Sequence, residues 1–218
     1  MKDEMHSLVS LSFPCFTCGE VTDEMILSFP NLQNLSCIVV KPINASTDSS
    51  PFFAFESLCK LESLNISYYG KVLKAGELNF PSSIKKLTLS NFQLPWSHIS
   101  VIGRLPNLEV LKLKSKTFEG PSWTTEEEHF LNLKCLKLDT LNIVHWNASG
   151  DHFSRLQQLI VRKCEQLEEI PLDIASISTL QIIEVHQCRK SVEDSVRRIE
   201  EEDIEGLKIF IKSSHSVV

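Results

Sequence analysis

Along most of this chain one apolar phrase keeps returning. An apolar residue is followed by two of mixed character, a second apolar residue, one more mixed position, and a third apolar residue. The instances are Leu8-x-x-Leu11-x-Phe13, Leu32-x-x-Leu35-x-Cys37, Leu61-x-x-Leu64-x-Ile66 and Ile84-x-x-Leu87-x-Leu89, then Leu108-x-x-Leu111-x-Leu113, Leu133-x-x-Leu136-x-Leu138, Leu156-x-x-Leu159-x-Val161 and Leu180-x-x-Ile183-x-Val185. Their first residues are 24, 29, 23, 24, 25, 23 and 24 positions apart. One such phrase is uninformative, because any half-buried strand alternates this way. Eight in phase specify a repeating unit. Side chains of a short strand alternate between faces, so the fourth and sixth positions turn inward together, and the first turns in just ahead of them. The segment that follows must return and start the next strand parallel to the last.

One unit alone leaves its apolar face bare, whereas stacked units bury a continuous core. The period falls within the roughly 20–29 residues of leucine-rich repeats. The predicted fold class is therefore α/β: a leucine-rich-repeat solenoid with a curved parallel sheet on its concave face and irregular loops and short helices on the convex face. The array of about eight repeats spans 1–188. The long step between the second and third repeats holds PINASTDSSP, a polar stretch read as a loop insertion over 41–51. A large apolar residue often stands three or four positions ahead of the phrase, as in Phe29-Pro30-Asn31-Leu32 and Leu105-Pro106-Asn107-Leu108, where proline ends any helical turn. KTFEGPSWTTEEEHF, Lys116 to Phe130, is an irregular return segment with a turn at Gly120-Pro121. Beyond 188 the pattern changes. Val192, Val196 and Ile199 fall at helical spacing, and Leu207 to Lys212 reads as a last strand. Residues 189–218 are thus expected to form a helix plus strand cap, of the kind that solenoid ends require.

Composition narrows the function classes. The chain has 218 residues, a net charge of −6 and 42% hydrophobic residues. That charge lacks the basic footprint of a general nucleic-acid binder, and no apolar run approaches a membrane span. The opening residues have no long apolar core, so no signal peptide is expected. Seven scattered cysteines make a poor disulfide framework and fit reduced thiols in a cytoplasmic protein, with nucleus or peripheral membrane as alternatives. Four N-x-[ST] sequons, at Asn34, Asn44, Asn65 and Asn147, point the other way, but chance accounts for them in a chain rich in Asn and Ser.

Candidate chemistry is sparse. Cys15-x-x-Cys18 has no second pair at metal-binding spacing. Cys164 and Cys188 stand eight residues after their repeat's first residue, but Phe16, Val40, Tyr69, Phe92, Lys116 and Leu141 occupy that place elsewhere, so no side-chain ladder is expected there. Phosphate-loop, dinucleotide, zinc-protease and nucleophile-elbow motifs do not occur, and no histidine has an obvious nucleophile to serve. Trp96, Trp123 and Trp146 read as core of the return segments. The chain is expected to be no enzyme and to hold no cofactor.

What remains is the outward side of the strands. Its first half is small and neutral, with residues such as Ser12, Asn34, Asn65 and Ser67. The middle carries Lys86, Lys112, Lys114, Lys137 and Arg162 on successive strands about 5 Å apart, followed by Glu184 and His186. On an acidic protein that stripe suits an acidic protein surface, or serves only to keep exposed strands soluble. These seven residues are the candidate protein-binding set.

RLQQLIVRKCEQLEEIPLDIASISTLQIIEVHQC, together with LPNLEVLKL (Leu105 to Leu113) and the SVEDSVRRIEEE of Ser191 to Glu202, carries a resemblance. It resembles the C-terminal leucine-rich-repeat region of plant nucleotide-binding disease-resistance proteins of the coiled-coil class, in particular the late-blight-resistance type of nightshade plants. The resemblance implies recognition of a pathogen effector or a guarded host protein, and contact with a nucleotide-binding module of the parent receptor. Neither the coiled coil nor that module is in this chain, so an ATP or ADP site would lie elsewhere. The absence of LxGxIP text disfavours an extracellular receptor ectodomain. A substrate-recruiting ubiquitin-ligase adaptor is the other alternative, disfavoured because no F-box-like helical segment stands ahead of the repeats.

Overall fold

The computed structural model describes residues 7–17, 28–41, 53–70 and 78–213. Within them one large parallel sheet runs through nine strands: β1 (Ser10–Thr17), β2 (Asn34–Val40), β3 (Ser63–Tyr69), β4 (Lys86–Ser90), β5 (Val110–Lys114), β6 (Cys135–Asp139), β7 (Gln158–Arg162), β8 (Ile182–His186) and β9 (Lys208–Lys212). Spatial order equals chain order, and every neighbouring pair is parallel. The eight strands predicted by the phrase are present, and the strand expected near 207–212 joins them as a ninth. Nearly all of the insertion expected at 41–51, and Cys18 of the CxxC pair, lie outside the described residues.

Register makes the core. Leu35, Leu64, Leu87, Leu111, Leu136, Leu159 and Ile183 face one another strand by strand. Two positions on, Cys37, Ile66, Leu89, Leu113, Leu138, Val161 and Val185 form a second aliphatic row, and no member of either row is more than 3% exposed. The first residues of the phrase, from Leu32 to Leu180, are buried as well. Each such side chain contributes about 1.5–3 kcal/mol by leaving water. A bulge in β1 breaks the register once: Ser12 pairs with Ser36 and Cys15 with Ile38, so two residues oppose one. One of the two is Pro14, which has no N–H to give the ladder.

Backbone bonds couple the strands at both ends. At the start, the N–H of Lys85 donates to Glu62 O, Glu109 to Lys85 O, Lys134 to Glu109 O, Gln157 to Lys134 O and Gln181 to Gln157 O, at 2.8–2.9 Å. At the far end, Ser115, Thr140, Lys163 and Gln187 donate to the last residue of the next strand, at 2.8–2.9 Å. These four, like Asn91, adopt positive φ between 30° and 65°. That conformation costs an ordinary residue about 1–2 kcal/mol, and here the turn out of the strand imposes it.

Behind the sheet the return segments are short and uneven. They include the turn of 3₁₀ helix Trp96–His98, the short helix Ile99–Gly103, and the small parallel pairs Leu94–Pro95 with Phe118–Glu119 and Ser122–Thr124 with His145–Asn147. Their aromatic rings stack across the repeats. Trp96 lies 4.8 Å from Phe118 and 4.9 Å from Trp123, and Trp123 lies 5.3 Å from Trp146. The core role expected for the three tryptophans holds. The Trp96 indole donates to Gly120 O at 3.2 Å, whereas the Trp123 and Trp146 N–H groups are buried with no partner. Past β8 the helix Lys190–Glu201 buries Val192, Val196 and Ile199, and its Ser195 hydroxyl accepts the Ile170 N–H at 3.0 Å.

The side-chain ladder that the sequence argued against is present in part. Asn91 Nδ2 donates to Tyr68 O at 2.9 Å, Thr117 Oγ1 to Leu89 O at 2.7 Å and Cys188 Sγ to Val161 O at 3.7 Å. These donors stand seven, nine and eight residues after Ile84, Leu108 and Leu180, so a fixed offset could not reveal them.

Candidate recognition surface

The alternation that points Leu111 and Leu113 into the core points Val110, Lys112 and Lys114 to the front of the sheet. Register then decides which front residues meet. Lys112 stands between Thr88 and Lys137, Lys114 between Ser90 and Asp139, and Lys86 beside Val110. The row continues from Asp139 to Arg162 to His186. The seven predicted residues therefore share one face but not one line.

Their electrostatics divide them further. Lys137 Nζ lies 2.8 Å from Asp139, two residues along its own strand. Glu184 gathers its neighbours: His186 Nε2 at 3.1 Å, Arg162 Nη2 at 3.4 Å and the Gln158 amide at 3.1 Å. Burial opposes ionisation of Glu184, but the bonds from His186, Arg162 and Gln158 outweigh it and hold the carboxyl below its usual range. Asp139 behaves alike, with burial overcome by hydrogen bonds from Lys137 and Thr140. Among the described residues no carboxylate comes within 4 Å of Lys86, Lys112 or Lys114. The C-terminal half of the stripe is thus internally neutralised, and its middle keeps open charge.

Two features of the surface escaped the sequence reading. The residues just ahead of successive strands alternate in sign: Glu62, Lys85, Glu109 and Lys134. Lys85 pairs with Glu62 at 2.8 Å and Lys134 with Glu109 at 3.0 Å. The signal stood in the second position of the phrase. In the first half, Asn34 Nδ2 donates to Ser10 Oγ at 3.1 Å and Asn65 Nδ2 to Ser36 Oγ at 3.0 Å, which satisfies polar groups across strands. Two of the sequon asparagines are therefore engaged on the sheet itself.

Four of the thiols offer little chemistry. Burial pushes Cys37 and Cys164 up to about 12, and it also raises Cys135 and Cys188, so these sulfurs stay protonated. Among the described residues no group of three His, Cys, Asp or Glu side chains is placed to hold a metal ion. No helix of the described residues is long and apolar enough to cross a membrane.

No family model matches the chain. Curated relatives do. One late blight resistance protein homolog of Solanum demissum is 32% identical over 204 residues, covering 92% of this chain and 16% of the relative. A second homolog of the same plant is 32% identical, covering 92% and 15%, and a third is 30% identical, covering 93% and 26%. The chain spans only about a sixth of the length of the first two. Over nine-tenths of its residues, this in-register parallel sheet and its return segments are homologous to one stretch of the late blight resistance protein homologs of Solanum demissum.

Proposed function

We propose that this chain is the protein-recognition and regulatory part of an intracellular plant immune receptor, built as a leucine-rich-repeat solenoid and working in the cytoplasm. Its front face senses a pathogen effector or a guarded host protein and restrains the nucleotide-binding module of the parent receptor. The ATP or ADP belongs to that module, and this chain performs no catalysis. The homology to late blight resistance proteins supports the disease-resistance reading. The observation that carries recognition is the set of open lysines, Lys86, Lys112 and Lys114, on a strand face where Lys137, Arg162, Glu184 and His186 are paired. Exposed cations steer an acidic partner and set the lifetime of its complex.

Co-precipitation from plant cells with a separately expressed nucleotide-binding module of a related resistance protein tests the proposal. Association should drop about tenfold or more when Lys112→Glu and Lys114→Glu are combined, with thermal unfolding nearly unmoved because both side chains point away from the core. Binding that ignores the inversion removes these lysines from the account. A folded chain that binds no such module leaves a free-standing adaptor as the better reading.

A further inference from the structure

Four successive strands end at one corner of the front face. Asp139 closes β6, Arg162 closes β7 with Lys163 behind it, His186 closes β8 with Gln187 behind it, and Lys212 closes β9. Together they line an open cleft of about 390 Å³. Register sets Asp139, Arg162, His186 and Lys212 side by side. Strands about 4.8 Å apart spread the cations Arg162 and Lys212 over roughly 10 Å, a gap that side chains of their length close around a compact anion.

The charges in the cleft do not cancel. Asp139 is held by Lys137 at 2.8 Å, and Glu184, just beneath, is shared by His186 and Arg162. Among the described residues no carboxylate lies within 4 Å of Lys163 or Lys212. Arg162 keeps its Nε buried without a hydrogen-bond partner, a donor that its bond to Glu184 leaves unspent. Lys137, Arg162, Lys163 and Lys212 therefore face two carboxylates, Asp139 and Glu184, and the Gln187 amide adds neutral donors. The frame is rigid. The N–H of Lys163 donates to His186 O at 2.9 Å and that of Gln187 to Lys212 O at 2.8 Å, while φ values of 49° and 53° turn both residues out at the rim.

We propose that this cleft binds a phosphate group, carried by a phosphorylated protein segment or by a free phosphate compound. Guanidinium and ammonium donors converging from separate, pre-locked strands are the arrangement that phosphate oxygens reward. Asp139 works against the anion, and its tie to Lys137 offsets that cost. The site rests on Lys163 and Lys212, different cations from the open lysines of the recognition face, so either reading can fail without the other.

Titration calorimetry of the full chain with inorganic pyrophosphate at fixed ionic strength tests it. The expected result is one saturable site that Lys163→Gln with Lys212→Gln weakens about tenfold or more, and that Lys60→Gln with Lys85→Gln, exposed and several strands away, leaves unchanged. All four positions are surface positions, so unaltered thermal unfolding should accompany both variants. Absence of saturable binding up to about 10 mM, or equal weakening in the two variants as diffuse charge would give, overturns the proposal. A phosphoserine peptide that binds more tightly than pyrophosphate assigns the ligand to a phosphorylated protein segment, and the reverse order assigns it to a free phosphate compound.

Discussion

The aliphatic rows under the sheet and the aromatic stack behind it are both built by carrying one position across successive strands, yet they depend on the sequence in different ways. The aliphatic rows are built of Leu, Ile, Val and a single Cys, because register alone brings each side chain against the last. The stack has three tryptophans and a phenylalanine, set twelve, fifteen and thirteen residues after Ile84, Leu108 and Leu133 for Trp96, Trp123 and Trp146. Return segments of unequal length deliver these rings to one column, with planes 9° and 5° from parallel between successive tryptophans. Period makes the first structure. Particular side chains make the second.

The contrast can be broken at three strengths. Leu111→Asp should act most, because an unpaired carboxylate at a fully buried rung has no partner and its desolvation exceeds what a marginal fold can absorb. The expected outcome is loss of the cooperative unfolding transition followed by circular dichroism. Retention of a sharp transition would mean that the rung lies closer to water than its burial implies. Trp123→Ala should cost about 3–5 kcal/mol in denaturant unfolding. Trp123→Phe should cost much less, since it keeps a ring in the column and removes a buried indole N–H that has no partner. Equal costs for the two would show that the stack is generic filling, as the aliphatic rows are.

The smallest effect concerns His129, which is 2% exposed beside the stack, its ring 6.1 Å from Phe130. Burial, opposed by Glu126 at 3.6 Å, lowers its pKa below the ordinary value. The unfolded chain then binds a proton at higher pH than the folded one. Its contribution to stability is present above the ordinary histidine range and is lost as pH falls through it. Thermal melts from pH 7.5 to pH 5.5 should show this decline, and His129→Gln should flatten it. A melt that rises on acidification would reverse the sign.

How much of this was legible follows from the same contrast. Eight of the parallel strands could be read because a two-residue alternation, repeated in phase, leaves one solution for the side chains; the ninth was read only as a last strand of the cap. The C-terminal helix could be read from Val192, Val196 and Ile199. Alternation puts Lys86, Lys112, Lys114, Lys137, Arg162, Glu184 and His186 on one face, but it leaves their pairing open. Whether Lys137 meets Asp139 or stands open depends on rotamers along one strand, which alternation leaves free. The intermittent ladder of Asn91, Thr117 and Cys188 was hidden for another reason: turns of unequal length move the donor, and the acceptor moves too, from five residues after the phrase's first residue at Leu89 and Val161 to seven at Tyr68. The column of tryptophans was foreseen as core, but its continuity was not, since nothing in three unequal spacings announces a common axis.

The alternation of Glu62, Lys85, Glu109 and Lys134 along the strand starts has a consequence for how such a chain can change length. The backbone couplings are the same at every start, so excision of one unit would keep the strand-start pattern: Lys134 would simply donate to Lys85 O in place of Glu109. The side chains object, because that splice sets two lysines side by side. Excision of two units, which would put Lys134 next to Glu62, restores opposite signs. Through this stretch the molecule therefore keeps an arithmetic of pairs, tolerating the loss or gain of two repeats more readily than of one.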